Sequence, residues 1–138
     1  MPFRIRRRSN VAVIEIHGVI GNHVKIPEYS TLIDSMAKDT RLKALVLDID
    51  SPGGSATGSE VLHRSLQRVA KVKPVYTYIR GMGASGAYYL ACASSKIYGL
   101  PTALVGSIGV IYLRPVVEQL LAKVGVEFSV YKSGSSKT

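Results

Sequence analysis

The sequence predicts an α/β fold built on a mostly parallel sheet, and three observations carry that expectation. Short apolar runs rich in Val and Ile, at 11–16, 44–50 and 75–79, alternate with stretches of helical spacing. The run Ala44-Leu45-Val46-Leu47-Asp48-Ile49-Asp50 is almost continuously apolar up to its end, as a strand buried on both faces has to be. Two glycine-rich turns each follow a strand and precede a helix, the arrangement of successive βαβ units.

Along the chain, Val11-Ala12-Val13-Ile14-Glu15-Ile16 reads first as a strand closed by His17-Gly18. Residues 26–38 form a helix with Leu32, Ile33 and Met36 at core spacing and Pro27 near its start. After the strand at 44–50 comes the turn Ser51-Pro52-Gly53-Gly54, then a helix over 57–70. That helix turns Leu62, Leu66 and Val69 inward and Glu60, Arg64, Gln67 and Lys71 outward, with His63 bordering the polar face. Pro74 opens a strand at 75–79, which leads into a glycine-rich turn, a small-residue helix over 85–94 and a short strand at 96–98. Residues 105–113 are predicted extended, 115–124 helical and 127–132 a last strand. Both glycine turns thus fall at the carboxyl edge of the sheet, where open α/β folds bind ligands.

Composition bounds the function. A chain of 138 residues, 46% of them hydrophobic, supports one domain with its own core. The net charge is +9, and Arg4, Arg6, Arg7 and Arg8 give residues 1–10 the look of a basic arm. No aromatic residues interleave with the basic ones, so the sequence does not predict a nucleic-acid partner; the arm reads as a solvated tail or one facing an anionic membrane surface. No apolar run approaches the roughly 18–20 residues of a membrane span, and the first eight residues do not resemble a signal peptide. The chain as given is therefore expected to be soluble, without an anchor. A single cysteine, Cys92, excludes an internal disulfide and a cysteine-rich zinc site; flanked by Ala91 and Ala93, it is expected to be buried packing. No cofactor is implied.

The chemistry centres on Ser85, in the run Gly81-Met82-Gly83-Ala84-Ser85-Gly86-Ala87-Tyr88-Tyr89. A serine at a tight strand-to-helix turn among small residues exposes its hydroxyl to a substrate. The amide of Gly86, at the start of the helix, points where a developing oxyanion needs a donor, and Gly53 or Gly54 offers a second. A hydroxyl needs a base to become a nucleophile. The three histidines, His17, His23 and His63, all precede Ser85, and none lies in a motif-like turn. A neutral lysine is the other common base, and Lys132 and Lys137 both lie in a strand leading into a small-residue turn.

Together these motifs resemble the signal peptide peptidase A family of Ser-Lys serine peptidases. The resemblance runs from about residue 11 to the end, through Asp50-Ser51-Pro52-Gly53-Gly54, residues 82–91, Gly106-Ser107-Ile108-Gly109-Val110 and residues 132–137. It implies a crotonase/Clp-protease-like spiral of repeated βαβ units, shortened here at its C-terminus, with residues 11–138 as a single peptidase domain. It assigns the nucleophile to Ser85 and the base to Lys137, with Lys132 the lesser candidate, and an oxyanion site to the glycine turn and Gly86. It further implies cleavage of remnant signal peptides or other unfolded hydrophobic segments near a membrane, and assembly of copies into a ring. Two other readings fit the same fold: an acyl-CoA enzyme, or a ring-forming scaffold with impaired catalysis.

Overall fold

A computed structural model of the chain describes residues 5–8 and 10–127. Part of the basic arm forms an edge strand, β1 (Ile5–Arg8), antiparallel to β2 (Val11–His17). From β2 onward every pairing is parallel: β2 to β3 (Ala44–Ser51), β3 to β4 (Val75–Ala84), and β4 to β5 (Lys96–Gly99). A short strand, β6 (Leu104–Gly106), pairs with β4 beyond the end of β5, along residues 82–84. Helix α1 (Ile26–Lys38) lies between β2 and β3, α2 (Ala56–Ala70) between β3 and β4, and α3 (Gly86–Ala91) after β4. The last described element is α4 (Glu118–Lys123).

The alternation of the strands explains the layering. Ala12, Ile14 and Ile16 of β2, Leu45, Leu47 and Ile49 of β3, and Val75 and Ile79 of β4 are all buried on one face. They meet Ile33 and Met36 of α1 and Leu62, Leu66 and Val69 of α2, so the helices cover that face as their apolar stripes require. Burying each of the Val, Ile, Leu and Met side chains among them stabilises the fold by about 1.5–3 kcal/mol. Polar ties set the helices' places. The Arg68 guanidinium of α2 donates to both Asp34 oxygens of α1, at 2.9–3.1 Å, and the Tyr29 hydroxyl donates to the Glu15 carbonyl of β2 at 3.0 Å.

The opposite face carries a charged group at its carboxyl end. Asp48, 7% exposed, accepts from Arg80 Nε at 2.7 Å and from Arg80 Nη2 at 2.5 Å. Burial pushes the Asp48 carboxyl up, but the Arg80 pair outweighs it and holds the group below its ordinary value.

Several boundaries differ from the sequence expectation. The glycine-rich stretch at 81–83 is strand rather than turn: β4 continues to Ala84, and the turn is confined to Ser85. The reason is local. The β3–β4 register shifts between Ile49 and Ser51, Asp50 Oδ1 accepts from the Met82 amide at 3.0 Å, and β6 pairs with residues 82–84. Within 105–113 only the first two residues belong to a strand, and the helix expected at 115–124 is reduced to 118–123. The β-branched pair Val116-Val117 disfavours its first turn. The small-residue helix stops at Ala91, and Cys92 beyond it is exposed rather than buried. His63 is buried, at 7% exposure, rather than at a polar border. Most of the strand expected at 127–132, with Lys132 and Lys137, lies outside the described residues.

Candidate active site

The parallel sheet brings the two turns together at its carboxyl edge. Gly53 follows β3 and packs so closely on the Ser85 turn that a Cβ on it would lie 2.7 Å from the Gly86 nitrogen, 2.8 Å from the Ala84 oxygen and 3.0 Å from Ser85 Cβ. Its φ of +92° is a second reason for glycine there. Gly54 makes an equally close approach on its other side, to Ile20, whose carbonyl would lie 2.2 Å from an added Cβ. That contact is fixed by a parallel bridge: the Ile20 amide donates to the Gly53 carbonyl at 2.8 Å and the Ser55 amide to the Ile20 carbonyl at 2.9 Å.

A buried hydroxyl organises this turn. Ser51 Oγ donates to the Gly18 carbonyl at 2.6 Å and accepts from the Gly53 amide at 3.1 Å, with none of the residue exposed. The Gly53 amide is thereby engaged, whereas the Gly54 amide has no acceptor among the described residues. Sequence reasoning picked out the two glycines but missed Ser51, the Gly18–Ile20 segment and Asp50, because their roles depend on contacts between strands.

Ser85 itself sits at φ 52° and ψ −122°, a left-handed conformation unusual for any residue but glycine. Its amide donates to the Gly106 carbonyl at 2.8 Å, and its own carbonyl accepts from the Tyr89 amide at 3.0 Å to start α3. Backbone on both sides therefore holds the strained residue in place. Its hydroxyl has no hydrogen-bond partner among the described residues, and the Gly86 amide is likewise without an acceptor there. A Cβ on Gly86 would lie 2.2 Å from Ser59 Oγ and 3.1 Å from Ser59 Cβ, so the Ser59 hydroxyl would have to rotate away from the Ser55 carbonyl that it now meets.

Ser85, Gly54 and Gly86 open on a cleft of about 840 Å³. Ala56 and Ser59 of α2, Tyr89 of α3 and the apolar Ile108, Val110 and Ile111 also line it. The backbone of residues 107–111, which also borders the cleft, makes no hydrogen bond among the described residues.

The histidines lie elsewhere. His23 Nδ1 accepts from the Val19 amide at 3.2 Å, and His63 Nδ1 donates to the Tyr89 carbonyl at 2.8 Å. His17 Nε2 is 3.6 Å from Asp48 Oδ1, beyond hydrogen-bond distance. No three His, Cys, Asp or Glu residues cluster as a metal site among the described residues.

Comparison with known proteins fits this arrangement. The family model described as Peptidase family S49 matches residues 67–138, just over half of the chain, including Ser85. The chain belongs to peptidase family S49. MJ0651 of Methanocaldococcus jannaschii, which is named as a protease, is 37% identical to this S49 chain over 109 residues, covering 79% of the chain and 35% of that protein. The chloroplastic serine protease SPPA of Arabidopsis thaliana is 32% identical over 128 residues, covering 86% of the chain and 20% of that protein. A Na(+)/H(+) antiporter NhaA of Brucella abortus is 31% identical over 147 residues, covering 99% of the chain and 20% of that protein. The chain thus spans between a fifth and about a third of the length of these relatives.

Among solved structures, an enoyl-CoA hydratase/isomerase family member has a TM-score of 0.65 at 20% identity, covering 90% of this chain and 58% of that one. A ClpP1 mutant of Listeria monocytogenes has a TM-score of 0.57 at 18% identity, covering 66% of this chain and 52% of that one. The S49 chain therefore has the crotonase/Clp fold that the family resemblance implied. No helix among the described residues is long and apolar enough to cross a membrane.

Proposed function

We propose that this S49 chain is a serine peptidase in which Ser85 attacks a peptide carbonyl and Lys137 serves as its base. The observation that carries the reading is the strained Ser85 turn, whose hydroxyl opens on an apolar cleft shared with the Gly54 and Gly86 amides, none of the three having a partner among the described residues. The Gly54 and Gly86 amides are the oxyanion donors, and Gly53 is the close-packed spacer between them, its own amide held by Ser51.

The steps follow from these roles. Neutral Lys137 Nζ takes the Ser85 proton as Oγ bonds to the scissile carbon, and the carbonyl oxygen takes up negative charge at the two amides. The lysine then protonates the departing amine, leaving an ester on Ser85. It next deprotonates the water that breaks the ester, and it returns that proton to Oγ.

Unfolded hydrophobic segments, including remnant signal peptides, suit the site as substrates. Ile108, Val110 and Ile111 offer apolar contact, and the backbone at 107–111, without a hydrogen bond among the described residues, suits an extended peptide. The net charge of +9 favours work beside an anionic membrane surface. Self-assembly into a ring is supported by the apolar side chains that come after β6: Val110, Ile111, Tyr112 and Leu113 are each more than 80% exposed.

The test is cleavage of an unfolded apolar peptide together with labelling by a fluorophosphonate. Ser85→Ala and Lys137→Ala are each expected to abolish cleavage, and Ser85→Ala to abolish labelling. Cleavage that persists in the Ser85 variant overturns the assignment.

A further inference from the structure

The helix that begins at Ser85 has only six residues, too few to be stable by its own hydrogen bonds. It also starts from a left-handed residue that favours relaxation. Something outside it has to hold it: Ala87, Leu90 and Ala91 bury its inner side in the core, and α2 adds a polar grip through Tyr89. Tyr89, one turn beyond the serine, donates its amide to the Ser85 carbonyl at 3.0 Å. Its hydroxyl donates to Glu60 Oε2 at 2.6 Å, and the other oxygen of Glu60 accepts from Arg64 Nε at 2.5 Å. Its carbonyl accepts from His63 Nδ1 at 2.8 Å, while the His63 ring stacks on the Tyr89 ring at 4.1 Å between centroids and 16° between planes. The nucleophile, Tyr89 and the outer face of α2 are thus joined by consecutive hydrogen bonds.

We infer that Glu60 and His63, acting through Tyr89, are positioning residues that hold the Ser85–Gly86 turn at the angle its chemistry needs. The inference rests on the nucleophile reading of Ser85. Its physical basis is that a six-residue helix gripped at its hydroxyl, its carbonyl and its ring has little freedom to rotate. A rotation of α3 would move Ser85 Oγ and the Gly86 amide together, away from the Gly54 amide. The Tyr89 hydroxyl is pushed above its ordinary value and the Glu60 carboxyl below its own, each chiefly by their mutual hydrogen bond, so the donor stays protonated and the acceptor ionised near neutral pH. Tyr89 also lines the cleft, so a positioning role has to be separated from a role in binding.

Fluorophosphonate labelling of Ser85, resolved into a maximal rate and a half-saturating concentration, makes that separation. Tyr89→Phe keeps the ring and drops the hydroxyl, Glu60→Ala removes the acceptor, and His63→Phe keeps a stacked ring without the N–H. Each is expected to lower the maximal rate by roughly threefold to tenfold with the half-saturating concentration unchanged. The Tyr89→Phe/Glu60→Ala pair should be no slower than the slower single variant, because both remove the same hydrogen bond. Glu60→Gln retains an acceptor and should recover the rate to within roughly twofold of the unaltered chain. An unchanged maximal rate, a loss confined to the half-saturating concentration, or a Glu60→Gln variant no faster than Glu60→Ala each overturns the inference. An unaltered chain that takes no label at Ser85 removes the nucleophile reading, and the inference with it. A labelled chain with unaffected variants removes the inference alone.

Discussion

Gly53→Ala tests the interlocking of the two turns most directly. The added methyl would sit 2.7 Å from the Gly86 nitrogen, and ordinary contact begins at 3.4 Å, so the amide has to retreat by about 0.7 Å. The Ala84 oxygen, at 2.8 Å, has to move almost as far. Both obstacles are backbone, so no side-chain rotation relieves them. Catalytic groups work within roughly 0.5 Å of their productive placement, and a shift near 1 Å can cost on the order of 100-fold in rate. A displacement of this size should slow fluorophosphonate labelling of Ser85 by roughly 30-fold to 100-fold. Stability also falls, by about 1–2 kcal/mol for a left-handed alanine and a further 1–3 kcal/mol for overpacking. Labelling is therefore measured at a temperature where circular dichroism shows the variant folded. Gly99→Ala, where a Cβ meets only ordinary contacts at 3.7–3.8 Å, serves as the control. Labelling of a folded Gly53→Ala chain within roughly threefold of the control would refute the claim that Gly53 spaces the Ser85 turn.

Two further predictions concern the framework. The Asp48 carboxyl is held below its ordinary 3.8, so its contribution to stability is complete above that pH and is lost as pH falls through the lower folded value. Arg80→Ala leaves burial as the dominant influence and raises that folded value. The variant should unfold at lower urea than the parent at pH 7, with the gap closing below about pH 4; a gap independent of pH would refute the assignment. Lys73, 9% exposed, donates its ammonium to the Asp39 carbonyl at the end of α1 and to the Leu42 carbonyl at 3.1 Å. Lys73→Met keeps most of the apolar stem and strips both bonds, so chemical denaturation should show a loss of about 1–3 kcal/mol. A loss below about 0.5 kcal/mol would mean that water replaces the ammonium.

The sequence was most readable where one periodicity dominated. The span of α1 and the core positions Leu62, Leu66 and Val69 of α2 follow from apolar spacing alone. Position at the carboxyl edge was readable too, because a glycine turn after a buried strand has few other places to go. The continuation of β4 through Gly81 and Gly83 was not, since those glycines mark a shifted register whose partners, Asp50 and β6, are distant in sequence. His63 looked amphipathic on its helix; its burial follows from Tyr89, 26 positions later, which stacks on the ring and accepts its proton donor. For Cys92 the small neighbours suggested packing, but α3 ends at Ala91 and leaves the thiol beyond the packed face.

These contacts change what the serine motif means. Gly-x-Ser-Gly at a strand end is by itself a tight turn, and nothing within it fixes where the hydroxyl points. Here the turn is held from three directions: Gly106 of β6 takes the Ser85 amide, Gly53 packs against the turn, and Tyr89 in the grip of α2 donates to the Ser85 carbonyl. The Gly53 contact is in turn set by Ser51, whose hydroxyl reaches back 33 positions to Gly18. The position of Ser85 therefore belongs to the parallel sheet as a whole rather than to the motif. It follows that variants at Ser51 or Gly18, which do not line the cleft, should impair Ser85 reactivity more than variants at the cleft-lining Ile108, whose side chain is largely exposed.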